Sequence, residues 1–172
     1  MNDAHLHLIV NHFPIIGSIL GLGVLIIGIF LKNNSVKNTG FSLLIVAAIF
    51  AFVSMATGEG AEEIVEDMPT IGKKIIHEHE EIAEKFALAI YAAGIFSMVA
   101  LYANFKKNKF AKMSTYLTLI LALLAAGIAT VVGNSGGEIR HTEIRENNDT
   151  LSSTSINAVR LGINDSMKKK YD

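Results

Sequence analysis

An all-α integral membrane protein is the fold class this sequence predicts: an antiparallel up-down four-helix transmembrane bundle, N-out/C-out. Three observations predict it. First, the 172 residues contain four windows without a single Asp, Glu, Lys or Arg, at 4–31, 38–58, 86–105 and 113–137. A hydrocarbon core of roughly 30 Å needs about 20 apolar residues at about 1.5 Å each, so each window can span it. Second, 51 % of the residues are hydrophobic and the mean hydropathy is +0.41. A soluble helix of this length carries a polar face, and these windows lack one. Third, the charges are segregated. The short connections 32–37 and 106–112 hold Lys32, Lys37, Lys106, Lys107, Lys109 and Lys112 and no acid. All 16 carboxylates and the other nine basic residues lie in the remaining segments, a net −7. Short basic loops stay cytoplasmic, which places both termini and the long second connection outside.

Composition excludes several classes. With no cysteine there is no disulfide, thiolate-bound iron–sulfur cluster, zinc ribbon or C-x-x-C-H haem attachment. Disorder and nucleic-acid binding do not suit so apolar a chain with a net charge of −1. There is no Gly-x-Ser-x-Gly around Ser54, Ser97 or Ser135 and no phosphate-binding loop of the Walker type. No charged residue lies within a span, where ion-coupled transport usually needs one.

The elements follow in order. Spans are expected at about 6–31, 40–57, 86–105 and 113–134. Residues 1–141 form the transmembrane domain with a periplasmic cap, and 142–172 an exposed periplasmic tail. Asp3 precedes the first window and the first lysine follows it, the reverse of a signal peptide, so this helix is expected to be retained. Gly17, Gly21, Gly23 and Gly28 on the first helix, and Ala122, Ala125, Ala126, Ala129 and Gly133 on the fourth, let backbones approach closely. Residues 58–66 are expected to prolong the second helix. Asp67-Met68-Pro69-Thr70 looks like a helix start, after which Ile71, Ile75, Ile76, Ile82 and Phe86 keep helical spacing into the third span.

All six histidines fall on the outer side: His5, His7 and His12, then His77 and His79, then His141. Counting about 20 residues up from each cytoplasmic end puts His12 near the outer interface and the others above it. His5 and His12 share a helical face from which His7 is turned away; His77 shares a face with Glu80, Glu81 and Glu84, and His79 does not. Neutral imidazole is the common ligand of haem iron, copper and zinc.

At this point the residues resemble a family. His7-Leu-Ile-Val-Asn-His12-Phe-Pro14 is similar to the His-Pro-x-x-Val-His-Phe-Pro opening of a small bacterial four-helix membrane family, domain of unknown function 2231. Thr57-Gly58-Glu59, His79-Glu80-Glu81 and Gly136-Gly137-Glu138-Ile139-Arg140-His141 resemble its later motifs, in order. Leu8 replaces the family's proline, and the Val-Tyr-x-x-Gly ending of many members is absent. The resemblance implies the fold and topology; a likeness to b-type cytochrome bundles is one of architecture.

Three functions compete. The leading one is a haem b protein passing electrons at the periplasmic face of the bacterial inner membrane, as a quinone-linked subunit of a respiratory complex with a periplasmic cytochrome as partner. Its ligands would be His7 or His12 with His77 or His79, His141 substituting; Gly58, Gly133, Gly136 and Gly137 would make room, and Arg140 would pair a propionate. The second is a copper, zinc or iron site drawn from His7, His12, His79, His141, Glu81 and Glu138, the last with the Glu-x-x-His spacing to His141. The third is a non-catalytic membrane anchor for a soluble redox partner.

Overall fold

The computed structural model describes residues 2–66 and 71–145. Within Met1–Arg140, one compact unit, five α-helices follow: α1 (Asp3–Val10), α2 (His12–Phe30), α3 (Asn34–Val65), α4 (Lys73–Phe105) and α5 (Ala111–Arg140). A second unit begins at His141 with a 3-10 turn at Thr142–Ile144. The expected tail from residue 146 and the Asp67–Thr70 helix start lie outside the described residues.

Four helices are long and apolar enough to cross a membrane, counting α1 and α2 as one path. The segment 58–65 does prolong α3, as expected. With 32 and 33 residues, α3 and α4 are each about 50 Å long and overrun a roughly 30 Å core. α4 begins at Lys73, behind an extended Gly72 with no side-chain cap.

The first span runs as one path over Asp3–Phe30, and only its hydrogen-bond ladder is interrupted, for Asn11 keeps helical dihedrals (φ −64°, ψ −24°). The interruption falls at Asn11, between α1 and α2. Pro14 explains the place: it has no N–H to give to Val10, and its ring crowds that carbonyl. α1 then lies on α3, with Asp3 seated against Gly60, where an added Cβ would meet the carboxylate.

α2 packs on α3, α3 on α4, α4 on α5 and α5 back on α2, closing a ring. The interior is built from small residues around a few large ones. Ala47, Ala51, Ala93, Ala100, Ala122, Ala125 and Ala129 are buried beside Leu25, Phe41, Leu44 and Ile90. Large apolar side chains point outward instead: Phe30 is 81 % exposed, Phe105 71 % and Leu88 70 %. In water that surface would be an aggregation liability; against lipid it costs nothing, and small interior residues let the backbones close in.

Two hairpins, α2–α3 and α4–α5, repeat one turn. In the first, Asn33 N–H donates to the Gly28 carbonyl (3.0 Å) and Lys32 N–H to Ile29 (3.1 Å); in the second, Asn108 donates to Ala103 (2.9 Å) and Lys107 to Asn104 (3.2 Å). These are Schellman closures. The left-handed position is held by lysine in both, Lys32 at φ 52° and Lys107 at φ 49°. The asparagine that follows then caps what comes next: Asn33 Oδ1 accepts from Ser35 N–H (2.9 Å) and Val36 N–H (3.2 Å), Asn108 Oδ1 from Phe110 N–H (3.0 Å).

Deep in the ring, Ser97 on α4 and Thr118 on α5 are fully buried, and neither hydroxyl finds a partner among the described residues. An unpaired buried hydroxyl forfeits its hydration for nothing. Ser97→Ala and Thr118→Val are therefore expected to stabilise the bundle by about 1 kcal/mol each. Thermal unfolding in detergent checks this; a loss of stability in both would show that the hydroxyls are in fact paired.

Candidate functional site

The face that α1 lays on α3 decides which histidine of the first path turns inward. His7, on α1, is half-buried against α3, whereas His5 and His12 are exposed. The His7 ring Nδ1 lies 3.0 Å from the Ser54 carbonyl and 3.3 Å from Thr57 Oγ1. A carbonyl only accepts, so Nδ1 must carry the proton. The Thr57 hydroxyl spends its own hydrogen on the carbonyls of Val53 (3.0 Å) or Ser54 (3.1 Å), leaving its oxygen to accept from His7. In the neutral ring the lone pair is then on Nε2.

His79 repeats this arrangement on the second hairpin. Its Nδ1 lies 2.9 Å from Ser135 Oγ on α5. Ser135 Oγ also lies 3.2 Å from the Val132 carbonyl; with its hydrogen given there, its oxygen accepts from His79 Nδ1–H and the lone pair is left on Nε2. A glycine follows each acceptor. A Cβ on Gly136 would come within 3.0 Å of His79 Cε1, and one on Gly58 within 3.7 Å of His7 Cε1. The two hairpins thus each present one imidazole tethered to a hydroxyl–glycine pair: Thr57-Gly58 for His7 and Ser135-Gly136 for His79.

Residues 73–85 carry Lys73, Lys74, Glu78, Glu80, Glu81, Glu84 and Lys85, so this part of α4 stands clear of the apolar stretch that begins at Phe86. Burial first, and then the charge of nearby His7, hold the His79 imidazole below its ordinary value, which favours the neutral ring. At the next residue, a hydrogen bond to Glu62 on α3, then burial and the charges of Glu62 and Glu84, push the Glu80 carboxyl up to about 7, with His77 acting the other way. A salt bridge from Lys73 Nζ to Glu66 Oε2 at 3.0 Å joins the same two helix extensions.

The sign of the Glu80 effect is testable. Its folded value lies above its ordinary value near 4.5, so the folded protein holds a proton that the unfolded chain has released. That contribution is complete below about 4.5 and is lost as the pH rises through about 7. The Glu80 contribution should therefore be lost between about pH 6 and about pH 8 (roughly one unit either side of the titration), so the thermal midpoint of the natural chain relative to Glu80→Gln should fall over that range, while the opposite effect of the depressed His79 value is common to both proteins. An unchanged slope in the variant would remove Glu80 from the account.

The other sequence candidates make different contacts. His77 is exposed and pairs along its own helix with Glu80 (3.8 Å) and Glu81 (3.5 Å). Glu81 also meets Lys85 at 3.5 Å. Glu138 accepts from Asn134 on α5. Gly133 is exposed on α5, where its added Cβ would meet only Ile15; Gly137 is half-buried and Arg140 exposed at the helix end. In the second unit His141 Nδ1 lies 2.9 Å from Glu143 Oε1 and is exposed. Among the described residues no group of three or more His, Asp or Glu is arranged to hold a metal ion.

Sequence reasoning missed the acceptors. Ser54 and Ser135 were weighed only as nucleophiles, and Thr57 only as part of a turn motif. A signal was present: a hydroxyl, a glycine and then, within two residues, a glutamate recur where the second and fourth spans end, as Thr57-Gly58-Glu59 and Ser135-Gly136-Gly137-Glu138.

The family model described as "Predicted membrane protein (DUF2231)" matches residues 4–143. No curated protein and no solved structure matches the chain.

Proposed function

The chain belongs to the DUF2231 family of predicted membrane proteins, and from that premise we propose that it is a membrane-bound haem b protein that transfers electrons at its histidine end. One observation carries the reading: two imidazoles on separate hairpins, His7 and His79, each have Nδ1–H tied to an acceptor and Nε2 left as a donor. This is the arrangement that readies histidine for a metal, because the tethered N–H fixes tautomer and ring plane and raises basicity. The residues fit such a group: two neutral nitrogen donors, and a glycine at 136 where any side chain would press on His79.

His7 and His79 are the residues that would hold a haem, which when bound would supply one-electron chemistry. The chain's own contributions are distinct. Ser54, Thr57 and Ser135 orient the rings. Burial of His79 keeps its nitrogen unprotonated. Arg140, one helical turn above Gly136 on α5, is the guanidinium for a propionate. Lysine turns on the cytoplasmic side would set the histidine end toward the periplasm of a bacterial inner membrane. From there electrons would pass between a membrane quinone and a periplasmic cytochrome or a respiratory-complex subunit.

Optical spectra of the protein purified after haem-replete expression, oxidised and dithionite-reduced, test the reading. A Soret band with a sharp reduced α band is expected. A folded protein with no such absorbance would overturn it and leave a membrane anchor.

A further inference from the structure

We propose that the turn end of the bundle binds the headgroups of anionic phospholipids, with Lys32 and Lys107 as matched phosphate contacts.

The argument begins with backbone conformation. Both residues occupy the left-handed position of a Schellman turn, at φ 52° and 49°. Glycine takes that position without strain and asparagine takes it readily; a long side chain does not. Asparagine is next in line in both turns, as Asn33 and Asn108, yet serves as the cap instead. Two independent hairpins thus accept the same strain to set a lysine at the tip. Nothing within the fold uses these side chains as packing, for both are exposed. What the tip acquires is positive charge.

The surroundings carry the same sign. Lys37, Lys106, Lys109 and Lys112 lie beside the two tips, and no carboxylate occurs anywhere in 4–58 or 86–137. The first turns of α3 and α5 start at this end too, adding the partial positive charge of helix N-termini. Just below, Phe30, Leu31, Phe105, Phe110 and Met113 are exposed, a collar of apolar side chains suited to the acyl boundary. The Lys109 ammonium rests 5.3 Å from the centre of the Phe110 ring. Asn104 on α4 donates to Asn38 on α3 (3.0 Å), which ties the two hairpins together at this level. A cationic end with a collar of exposed apolar groups is matched by a molecule with a phosphate over an acyl chain, and the charge selects an anionic one.

The test uses the full chain in detergent and reads the thermal midpoint against short-chain phosphatidylglycerol, short-chain phosphatidylcholine, or inorganic phosphate at equal ionic strength. Phosphatidylglycerol is expected to raise the midpoint by several degrees, and the other two to leave it in place. The double variant Lys32→Gly, Lys107→Gly should lose at least half of that rise, while its midpoint without lipid stays or increases, since glycine relaxes both turns. Lys32→Arg with Lys107→Arg should keep the rise. If the glycine variant does not fold, Lys32→Asn with Lys107→Asn reads the same loss of charge in a residue that also accepts the left-handed region. Equal rises with both lipids, a full rise in the uncharged variant, or a rise with inorganic phosphate alone would each overturn the proposal.

Discussion

On the haem reading proposed above, replacing His79 by alanine is expected to abolish the Soret absorbance predicted for the purified protein, and replacing His7 to do the same. Each ring is the sole imidazole that its hairpin turns inward; His5, His12 and His77 are exposed. His12→Ala and His77→Ala are accordingly expected to keep the band. This contrast guards against misfolding as an explanation, because all four changes remove the same side chain at the same end of the bundle. Ser135→Ala tests the tether. It frees His79 Nδ1–H from its 2.9 Å partner without touching the ligand nitrogen. Losing such a partner typically weakens metal affinity by about 10–100-fold, so the band should survive at saturating haem while haem retention falls and the midpoint potential moves. Ser135→Thr, which restores a hydroxyl, should recover much of the loss. Loss of the band in His12→Ala or His77→Ala, with His7→Ala and His79→Ala unaffected, would show that the assignment of ligands is wrong.

The second large effect concerns glycine. Gly28 and Gly40 lie where α2 and α3 cross. A Cβ at Gly28 would stand 2.6 Å from the Lys37 amide nitrogen, and one at Gly40 would stand 2.8 Å from that of Leu25. Both obstacles are backbone, so neither can rotate away, and Gly28→Ala and Gly40→Ala are expected to destabilise by about 1–3 kcal/mol each. Because the two share one crossing, the separation that relieves one clash also eases the other, and the double variant should lose less than the sum. Gly23→Ala and Gly127→Ala are the controls. Nothing lies within 4 Å of either added Cβ, and alanine outranks glycine in a helix by up to about 1 kcal/mol. Both should be neutral or stabilised. Four similar responses in detergent unfolding would mean that α2 and α3 are not in close contact in the membrane-extracted protein.

This glycine pair also shows how far a sequence reads. Gly17, Gly21, Gly23 and Gly28 look alike in the chain, and all four were expected to serve close packing. Gly17 meets Ala47, Gly21 meets Leu44 and Gly28 meets Lys37, but Gly23 faces open space. The same holds on α5, where Ala122, Ala125 and Ala129 are fully buried and Ala126 only partly. Which face of an apolar helix turns inward is not written in its hydrophobicity when every face is apolar.

Other features were closer to the surface of the sequence. The interrupted ladder at Asn11 follows from Pro14 four residues beyond Val10, a local rule outweighed by the length of the charge-free window. Ser54, Thr57 and Ser135 went unrecognised because a hydroxyl's partner lies far along the chain, on a helix whose rotation the sequence does not state.

The spans and their alternation were legible from residues alone, because hydrophobic length and the placement of charge are local properties that a bilayer reads directly. Tertiary structure decided the rest. Each residue turns a helix by about 100°, so one step of rotation exchanges an inward ring for an outward one. That rotation comes from packing: Asp3 on Gly60 seats α1 and brings His7, rather than His5 or His12, to Ser54 and Thr57.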